Sequence, residues 1–322
     1  MSFLTKLSQL FAKKSSCQRI GIAFQQQGIS LCSIPAQKSD SDPAKKTAAK
    51  VIFQHEKVKQ TDFVKMIQKF HKKGLEGDAT LVLSEAQSQV VQVDKPSVPD
   101  SEINAALKWQ IKDLVSISPD NMLLDYFDIP TLAGGKDKIN VVCARLDELK
   151  DLVAVTEQGL VKVSAITTQV FAFANLLPPK GEAVLLICQQ PSEEIVLVIV
   201  KQQQIFFYRR LRGFSQIASK TREELSSAII DAISLEVQRS ADYFERQLKQ
   251  APIKAIKVLL PIELENLFVE LLADNTSIPV SLLELPRPYC QHRDFAAAIG
   301  ASIDNSPYDT DVAGSEGDQY GS

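Results

Sequence analysis

A pattern that occurs twice along the chain constrains the fold most: short apolar strands follow one another and then give way to amphipathic helices. In the second half, three apolar runs joined by polar turns predict a meander at 183–188, 195–200 and 205–210. The first half opens similarly, because the runs 18–23 and 29–34 flank a glutamine-rich turn and predict a β-hairpin. A chain of 322 residues has room for two domains or for one domain with two lobes. The pattern therefore predicts an α/β protein with two similar halves.

The most regular helix signal covers residues 221–248. Thr221 and Glu224 have the spacing of a capping box, and apolar residues then recur every three or four positions until Pro252 ends the pattern. Shorter periodic segments complete an alternation of helices and strands. The other predicted helices are 62–73, 146–159, 170–177, 263–273 and 294–302, and the other predicted strands are 51–53, 80–84, 161–166, 256–260 and 280–283.

Residues 101–130 carry the most distinctive local pattern. Ser101 is the predicted N-cap of a helix that extends to residue 115, and the single tryptophan, Trp109, flanks its apolar face. That face consists of apolar residues at helical spacing: Ile103, Leu107, Ile111 and Leu114. A proline-containing turn ends the helix. A strand at 122–129 follows, and a glycine-containing turn joins it to a second strand at 139–144.

This block resembles the signature of the PilM family of type IV pilus assembly proteins. The family has an ALRWE-like helix and an LDY-like strand, which correspond to 106–110 and 124–126 here, with Gln110 in place of the family's acidic residue. Residues 236–244 are similar to the family's EIQRSLDYY-like motif, and 295–300 to its closing segment. The resemblance covers about residues 17–302 and is strongest to the branch that builds MSHA pili. An ordinary amphipathic helix followed by a strand is the alternative interpretation of 101–130.

The resemblance implies the actin-like (RNase H-like) fold. Two α/β lobes then face a cleft, with an α/β subdomain inserted in the first lobe and a helical segment in the second. The implied parts are a first lobe at 17–85 and 159–180 to which 287–302 returns, an inserted subdomain at 86–158 and a second lobe at 181–286. Two terminal parts lie outside the lobes: a basic amphipathic segment at 1–16, and an acidic, glycine-rich tail at 303–322 that is predicted to be disordered.

The resemblance also indicates where ATP would bind, and the residues expected there are missing. The family's phosphate turns carry Asp and Gly, and a glycine pair makes room for the nucleoside. Other residues occupy these six positions here: Ala23 and Gln25 in the first turn, Cys188 and Gln190 in the second, and Pro261 and Ile262 at the nucleoside site. We therefore expect no catalysis and no cofactor. Residual nucleotide binding, or an ATPase that gates assembly, is the alternative.

Composition and motifs point to no other enzyme class. The chain has no P-loop, no GxSxG and no HExxH sequence. Its three histidines and five scattered cysteines lack metal-ligand spacing, so we expect no metal and a reducing compartment. The net charge of −3 gives no general attraction to nucleic acid. The adjacent acids 193–194 are expected to be structural. The three arginines at 209–212 either line the interlobe cleft or solvate a strand end, and the second is the expectation.

For the partner, the resemblance implies the cytoplasmic N-terminal tail of a PilN-like bitopic inner-membrane protein. The tail would lie in a groove between the first lobe and the inserted subdomain, which must supply apolar pockets and a strand edge. The predicted contact residues are Leu107, Trp109, Ile111 and Tyr126. The expected function is a non-catalytic cytoplasmic scaffold of the pilus assembly platform. A type II secretion component with a similar cytoplasmic fold is a further alternative, and self-association into a homo-oligomer stays open.

Contact with the inner membrane is predicted to be peripheral. No run of 18 apolar residues is present, which excludes a membrane-spanning helix. Three apolar residues of the N-terminal segment, Phe3, Leu7 and Phe11, lie among lysines and predict either a weak membrane-surface contact or a helix packed on its own protein. The lysine-rich region 45–73 is a solvated face or a site for a partner or anionic lipid.

Overall fold

The computed structural model describes residues 18–35, 52–57, 62–72, 74–129, 137–179, 181–285 and 289–303. The predicted membrane contacts Phe3, Leu7 and Phe11, most of the lysine-rich loop before residue 51, and the tail from residue 304 lie outside these residues. No helix in the described ranges is long and apolar enough to cross a membrane.

The described residues form three sheets with helices on their faces. The strands are β1 Gln18–Gln25, β2 Gly28–Pro35, β3 Ile52–Glu56, β4 Glu76–Leu83, β5 Ser88–Asp94, β6 Met122–Asp128, β7 Lys138–Arg145, β8 Leu160–Thr168, β9 Val184–Cys188, β10 Ile195–Lys201, β11 Gln204–Leu211, β12 Ala255–Leu259 and β13 Val280–Leu282. The helices are α1 Phe63–Lys72, α2 Asp100–Gln110, α3 Leu146–Thr156, α4 Gln169–Ala174, α5 222–247, α6 Glu265–Asp274 and α7 Ala296–Ser302.

The two large sheets have the same topology. One has the order β3-β2-β1-β4-β8 and the other β11-β10-β9-β12-β13, so each is an antiparallel meander followed by two parallel strands. The sequence pattern that starts again after residue 180 is therefore a structural repeat. This arrangement is the predicted actin-like, two-lobed α/β fold.

The sheets and helices stack in five layers. One core joins the first sheet to α1 and α3, another joins the second sheet to α5 and α6, and a third lies between the sheets around α4 and α7. Strand β10 shows why its sequence is continuously apolar: Ile195, Leu197 and Ile199 face the outer core, and Val196 and Val198 face the central one. The central core contains residues of both lobes, so apolar packing joins the lobes at their base.

Two glycines allow this central layer to pack closely. A Cβ atom at Gly21 of β1 would lie 1.9 Å from the carbonyl oxygen of Ala298, and one at Gly300 would lie 1.8 Å from that of Ala172. Helix α7 therefore touches both β1 and α4 through bare backbone. This contact brings the end of the described chain back to the first lobe.

A small third sheet is inserted between β4 and β8, in the order β5-β7-β6. Helix α2 covers it, and Ile103 and Leu107 face its core. The predicted N-cap is wrong, because Pro99 precedes the helix and no side chain caps it. The predicted end is also wrong, since α2 stops at Gln110 and leaves Leu114 58% exposed.

The longest helix agrees with its sequence signal. Thr221 and Glu224 form both hydrogen bonds of a capping box. The helix continues from residue 222 to 247 with two π-helical turns, Leu225–Ile229 and Tyr243–Gln247. The apolar stripe, which includes Phe244, faces the outer core of the second lobe.

Candidate functional site

An apolar groove of about 420 Å³ lies between the small sheet and the first lobe. Its walls come from β6 and β7 on one side and from β4, α3, β8 and α4 on the other. Among the described residues that line it, Asp125 is the only charged one. The larger apolar side chains in the lining are Leu83, Leu123, Leu124, Phe127, Leu149, Ile166 and Phe171.

Two outer strands of the described sheets border this groove. Strand β6 is the outer strand of the small sheet, and β8 is the outer strand of the first large sheet. Residues 123–127 of β6 and 166–168 of β8 line the groove consecutively. Each of these outer strands has one side that no other described strand pairs with. A strand edge offers backbone donors and acceptors for pairing.

The predicted partner contacts are not all on this groove. Tyr126 lines it. Leu107 and Ile111 are fully buried in the core of the small sheet, so we assign them to packing rather than to a binding surface. Trp109 is 66% exposed outside the groove lining, with the Lys112 amine 5.8 Å from its ring centroid. The sequence interpretation missed most of the lining, because it comes from six elements spread between residues 83 and 171.

The first phosphate turn of the interlobe cleft is a tight hairpin. Ala23 is buried in the central core, and β1 continues to Gln25, which pairs with Gly28 across a two-residue turn. The Gln25 amide donates to the Ser30 hydroxyl at 2.8 Å. The position expected to hold a glycine therefore carries a buried side chain with a hydrogen-bond partner inside its own hairpin.

At the second phosphate turn, a side chain reaches the first lobe. Cys188 is buried in the central core, and burial raises the pKa of its thiol well above the ordinary value. The Gln190 amide nitrogen lies 3.4 Å from the Phe24 carbonyl oxygen and 3.3 Å from the Gln169 amide oxygen. Gln190 therefore occupies space between the two turns and bonds across the cleft.

The third position lies after β12. Pro261 and Ile262 are half-buried, and Ile262 packs against the outer core of the second lobe. Nearby, the Glu265 carboxylate accepts the Leu260 N–H at 2.7 Å and pairs with Arg293. The turn after β12 is consequently tied, through Glu265 and Arg293, to the segment that leads into α7.

An ion pair also spans the cleft. Arg210 of β11 lies 2.9 Å from the Glu85 carboxylate, which follows β4 in the first lobe. The neighbouring Arg209 pairs instead with Glu236 of its own lobe at 2.7 Å. The expectation that this arginine cluster only solvates a strand end is therefore wrong for both residues.

Glu193 lies beside this ion pair and is buried. Burial, together with the negative charge of Glu85, raises the pKa of its carboxyl to about 8, although Arg210 and backbone groups of Gln26 and Glu85 partly oppose the shift. Neither Glu193 carboxyl oxygen has a hydrogen bond of good geometry. At neutral pH the carboxyl is therefore mostly protonated. In the described part of the chain, no three His, Cys, Asp or Glu side chains are grouped to hold a metal ion.

Solved structures share this fold. The PilM-PilN type IV pilus biogenesis complex matches with a TM-score of 0.63 and 13% identity, over 88% of this chain and 97% of that chain. The cytoplasmic domain of EpsL, an inner membrane component of the type II secretion system of Vibrio cholerae, gives 0.46 and 11%, over 80% and 94%. A Bacteroides thetaiotaomicron protein with an actin-like ATPase fold and unknown function gives 0.47 and 9%, over 93% and 98%. At these identities the likeness is one of fold. No family model and no curated protein matches the chain.

Proposed function

We propose that this protein is a non-catalytic scaffold of a type IV pilus assembly platform and that its groove binds the cytoplasmic tail of a PilN-like membrane protein. The observation that carries the proposal is the apolar groove lined by residues of the outer strands β6 and β8. Two further findings support it: the fold likeness to the PilM-PilN complex and the sequence blocks at 106–110, 124–126 and 236–244.

The groove suits a peptide in extended conformation. Such a peptide adds a strand to a sheet edge, and its alternate side chains enter pockets beside that edge. Leu123 and Phe127 would contact aliphatic or aromatic side chains of the peptide, since both line the groove from β6. Main-chain hydrogen bonds would supply affinity, and the apolar pockets would select the sequence.

The proposed absence of catalysis rests on the cleft. Neither phosphate turn presents a carboxylate at the expected position, because Ala23 and Cys188 are core residues. Gln190 bonds across the space between the turns. Phosphate groups need open backbone N–H donors. The acidic residues at the mouth of the cleft are already engaged or neutral, because Glu85 pairs with Arg210 and Glu193 is mostly protonated at neutral pH. We therefore infer that the protein works without bound ATP.

We further propose a location at the cytoplasmic face of the inner membrane and a role in pili of the MSHA type, as the MshI branch of the family has. The tail of a bitopic partner joins its membrane-spanning segment close to the bilayer, so a protein that binds the tail is held near the membrane. The resemblance of 101–130 and 236–244 supports this finer assignment.

The test measures binding of a fluorescent peptide from the N-terminal tail of the cognate PilN-like protein. The variant is Leu123→Asp, because this side chain lines the groove and is 46% exposed. The matched control is Leu235→Asp, on α5 of the second lobe and 47% exposed. We expect Leu123→Asp to weaken binding by about tenfold or more, since a charge would enter an apolar pocket, while the control binds like wild type. Equal affinity of both variants would exclude the groove as the binding site.

A further inference from the structure

A continuous chain of polar side chains crosses the interlobe cleft twice. Arg210 of the second lobe donates to Glu85 of the first lobe at 2.9 Å. The Gln169 amide donates to the other oxygen of Glu85 at 3.1 Å. Gln190 of the second lobe then donates to Gln169 at 3.3 Å and closes the chain. The first and last members therefore belong to one lobe and the middle two to the other.

These contacts lie at the carboxyl ends of the central strands. Glu85 follows β4, Gln190 follows β9, and the Phe24 carbonyl that Gln190 also contacts is near the end of β1. This is the edge at which α/β sheets bind ligands. The base of the lobes is held by a different kind of contact, the apolar packing of α4 and α7. The lobes are thus joined by apolar residues at the base and by charged and amide groups at the mouth.

We propose that Arg210, Glu85, Gln169 and Gln190 form a latch that holds the two lobes in one arrangement and takes the place of a bound ligand at the mouth of the cleft. The inference goes beyond the proposed scaffold function and does not depend on it. A scaffold whose lobes are fixed by its own side chains presents a constant surface, whatever the nucleotide concentration around it.

Glu193 makes this latch sensitive to protons. Its carboxyl lies against Glu85 and near Arg210, while Glu194 and Tyr208 are the other titratable groups that influence the pair. As long as Glu193 is neutral, Arg210 has one carboxylate partner. Once Glu193 loses its proton, a second buried negative charge repels Glu85, and the ionised group also has to be solvated. The latch therefore loosens as the pH rises through about 8.

The test is hydrogen exchange of the full chain at the amides of the two turns, 24–28 and 189–194. The variant is Arg210→Ala, which removes the pair across the cleft. The matched control is Arg209→Ala, which removes a pair of similar length within one lobe. We expect exchange at both turns to increase by about tenfold in Arg210→Ala, because local opening becomes easier, and to stay at the wild-type rate in Arg209→Ala.

Two results in the arginine variants would contradict the latch. Equal exchange at the turns in the two arginine variants, or unchanged exchange in Arg210→Ala, would overturn the latch. If Arg210→Ala does not fold, wild-type protein serves instead. Its turns should exchange faster at pH 9 than at pH 7 after correction for the intrinsic pH dependence of exchange, and Glu193→Gln should abolish that increase. An identical increase in Glu193→Gln would also contradict the proposal.

Discussion

The groove and the mouth of the interlobe cleft differ in what their own residues do. The groove is lined by apolar side chains with one charge, Asp125, and by two outer strands. The cleft is lined by polar side chains that bond to one another, from Arg210 to Gln190. A polar group that already has a hydrogen-bond partner within the protein adds little binding free energy when a ligand replaces that partner. Covering an exposed apolar surface with a partner is favourable, because it removes apolar area from water.

On the proposed assignment, proteins that share this fold can use different sites. In the alignment that the PilM resemblance implies, Gln25, Cys188 and Gln190 stand where glycine or aspartate is expected in an ATP-binding protein. The groove needs no such chemistry, because strand edges and apolar pockets suffice for a peptide. In the account proposed here, the site of action is the groove, and the cleft serves as a structural joint.

The largest expected effect is a loss of stability when the close packing of the central core around α7 is disrupted. Gly300→Ala would push a Cβ atom to 1.8 Å from the Ala172 carbonyl, and backbone cannot move aside cheaply. We expect a loss of about 4 kcal/mol or more in the free energy of unfolding, measured by denaturant titration. Gly181→Ala is the control, since its Cβ would have its nearest neighbour at 4.0 Å. Similar losses in both variants would contradict the close backbone contact between α7 and α4.

A smaller expected effect is the pH dependence of stability that the buried Glu193 of the cleft causes. The folded-state pKa of Glu193, about 8, exceeds its ordinary value of 4.5, so folding stability falls as the pH rises from 4.5 towards 8. Glu193→Gln removes this loss. We expect the variant to be more stable than wild type by up to about 4 kcal/mol at pH 8 and nearly equal to it at pH 4.5. A stability difference that does not change with pH would show that Glu193 is not buried as described.

The smallest expected effect tests whether the exposed surface around Trp109, outside the groove lining, contributes to peptide binding. Trp109→Ala truncates an exposed side chain that does not line the groove. We expect its free energy of unfolding to change by no more than about 0.5 kcal/mol and its affinity for the peptide to stay unchanged. A selective loss of affinity in this variant would move the binding surface onto α2 and restore the original sequence prediction for Trp109.

Sequence patterns predicted the elements of the fold well wherever one residue's neighbours along the chain decide its structure. The capping box at Thr221 and the doubly buried strand β10 are local signals of this kind. The end of helix α2 is not decided by a local signal of this kind. Ile111 continues the apolar spacing of the helix but fills the core from the turn after it, so periodicity extended the predicted helix too far. Strand β5 was missed, because its sequence, SQVVQVD, lacks a clear alternation.

The functional regions were less predictable, since tertiary structure assembles them. Arg209 and Arg210 are adjacent on β11, so their side chains point to opposite faces. The sequence does not reveal that one face meets the same lobe and the other meets Glu85 across the cleft. The groove likewise combines Leu83 with Phe171, 88 residues further along the chain. The predicted contacts Leu107 and Ile111 turned out to be buried, because an apolar helix face has the same pattern in a core as at an interface.

The most direct test of the central claim is thermal unfolding of the full chain with saturating PilN-like peptide and, separately, with millimolar Mg-ATP. A ligand that binds only the folded state stabilises it by about 2.7 kcal/mol at a hundredfold excess over its Kd. The account predicts a clear rise in Tm with the peptide, its loss in Leu123→Asp, and no shift with Mg-ATP. A rise with Mg-ATP and none with the peptide would contradict it and would make the cleft the functional site.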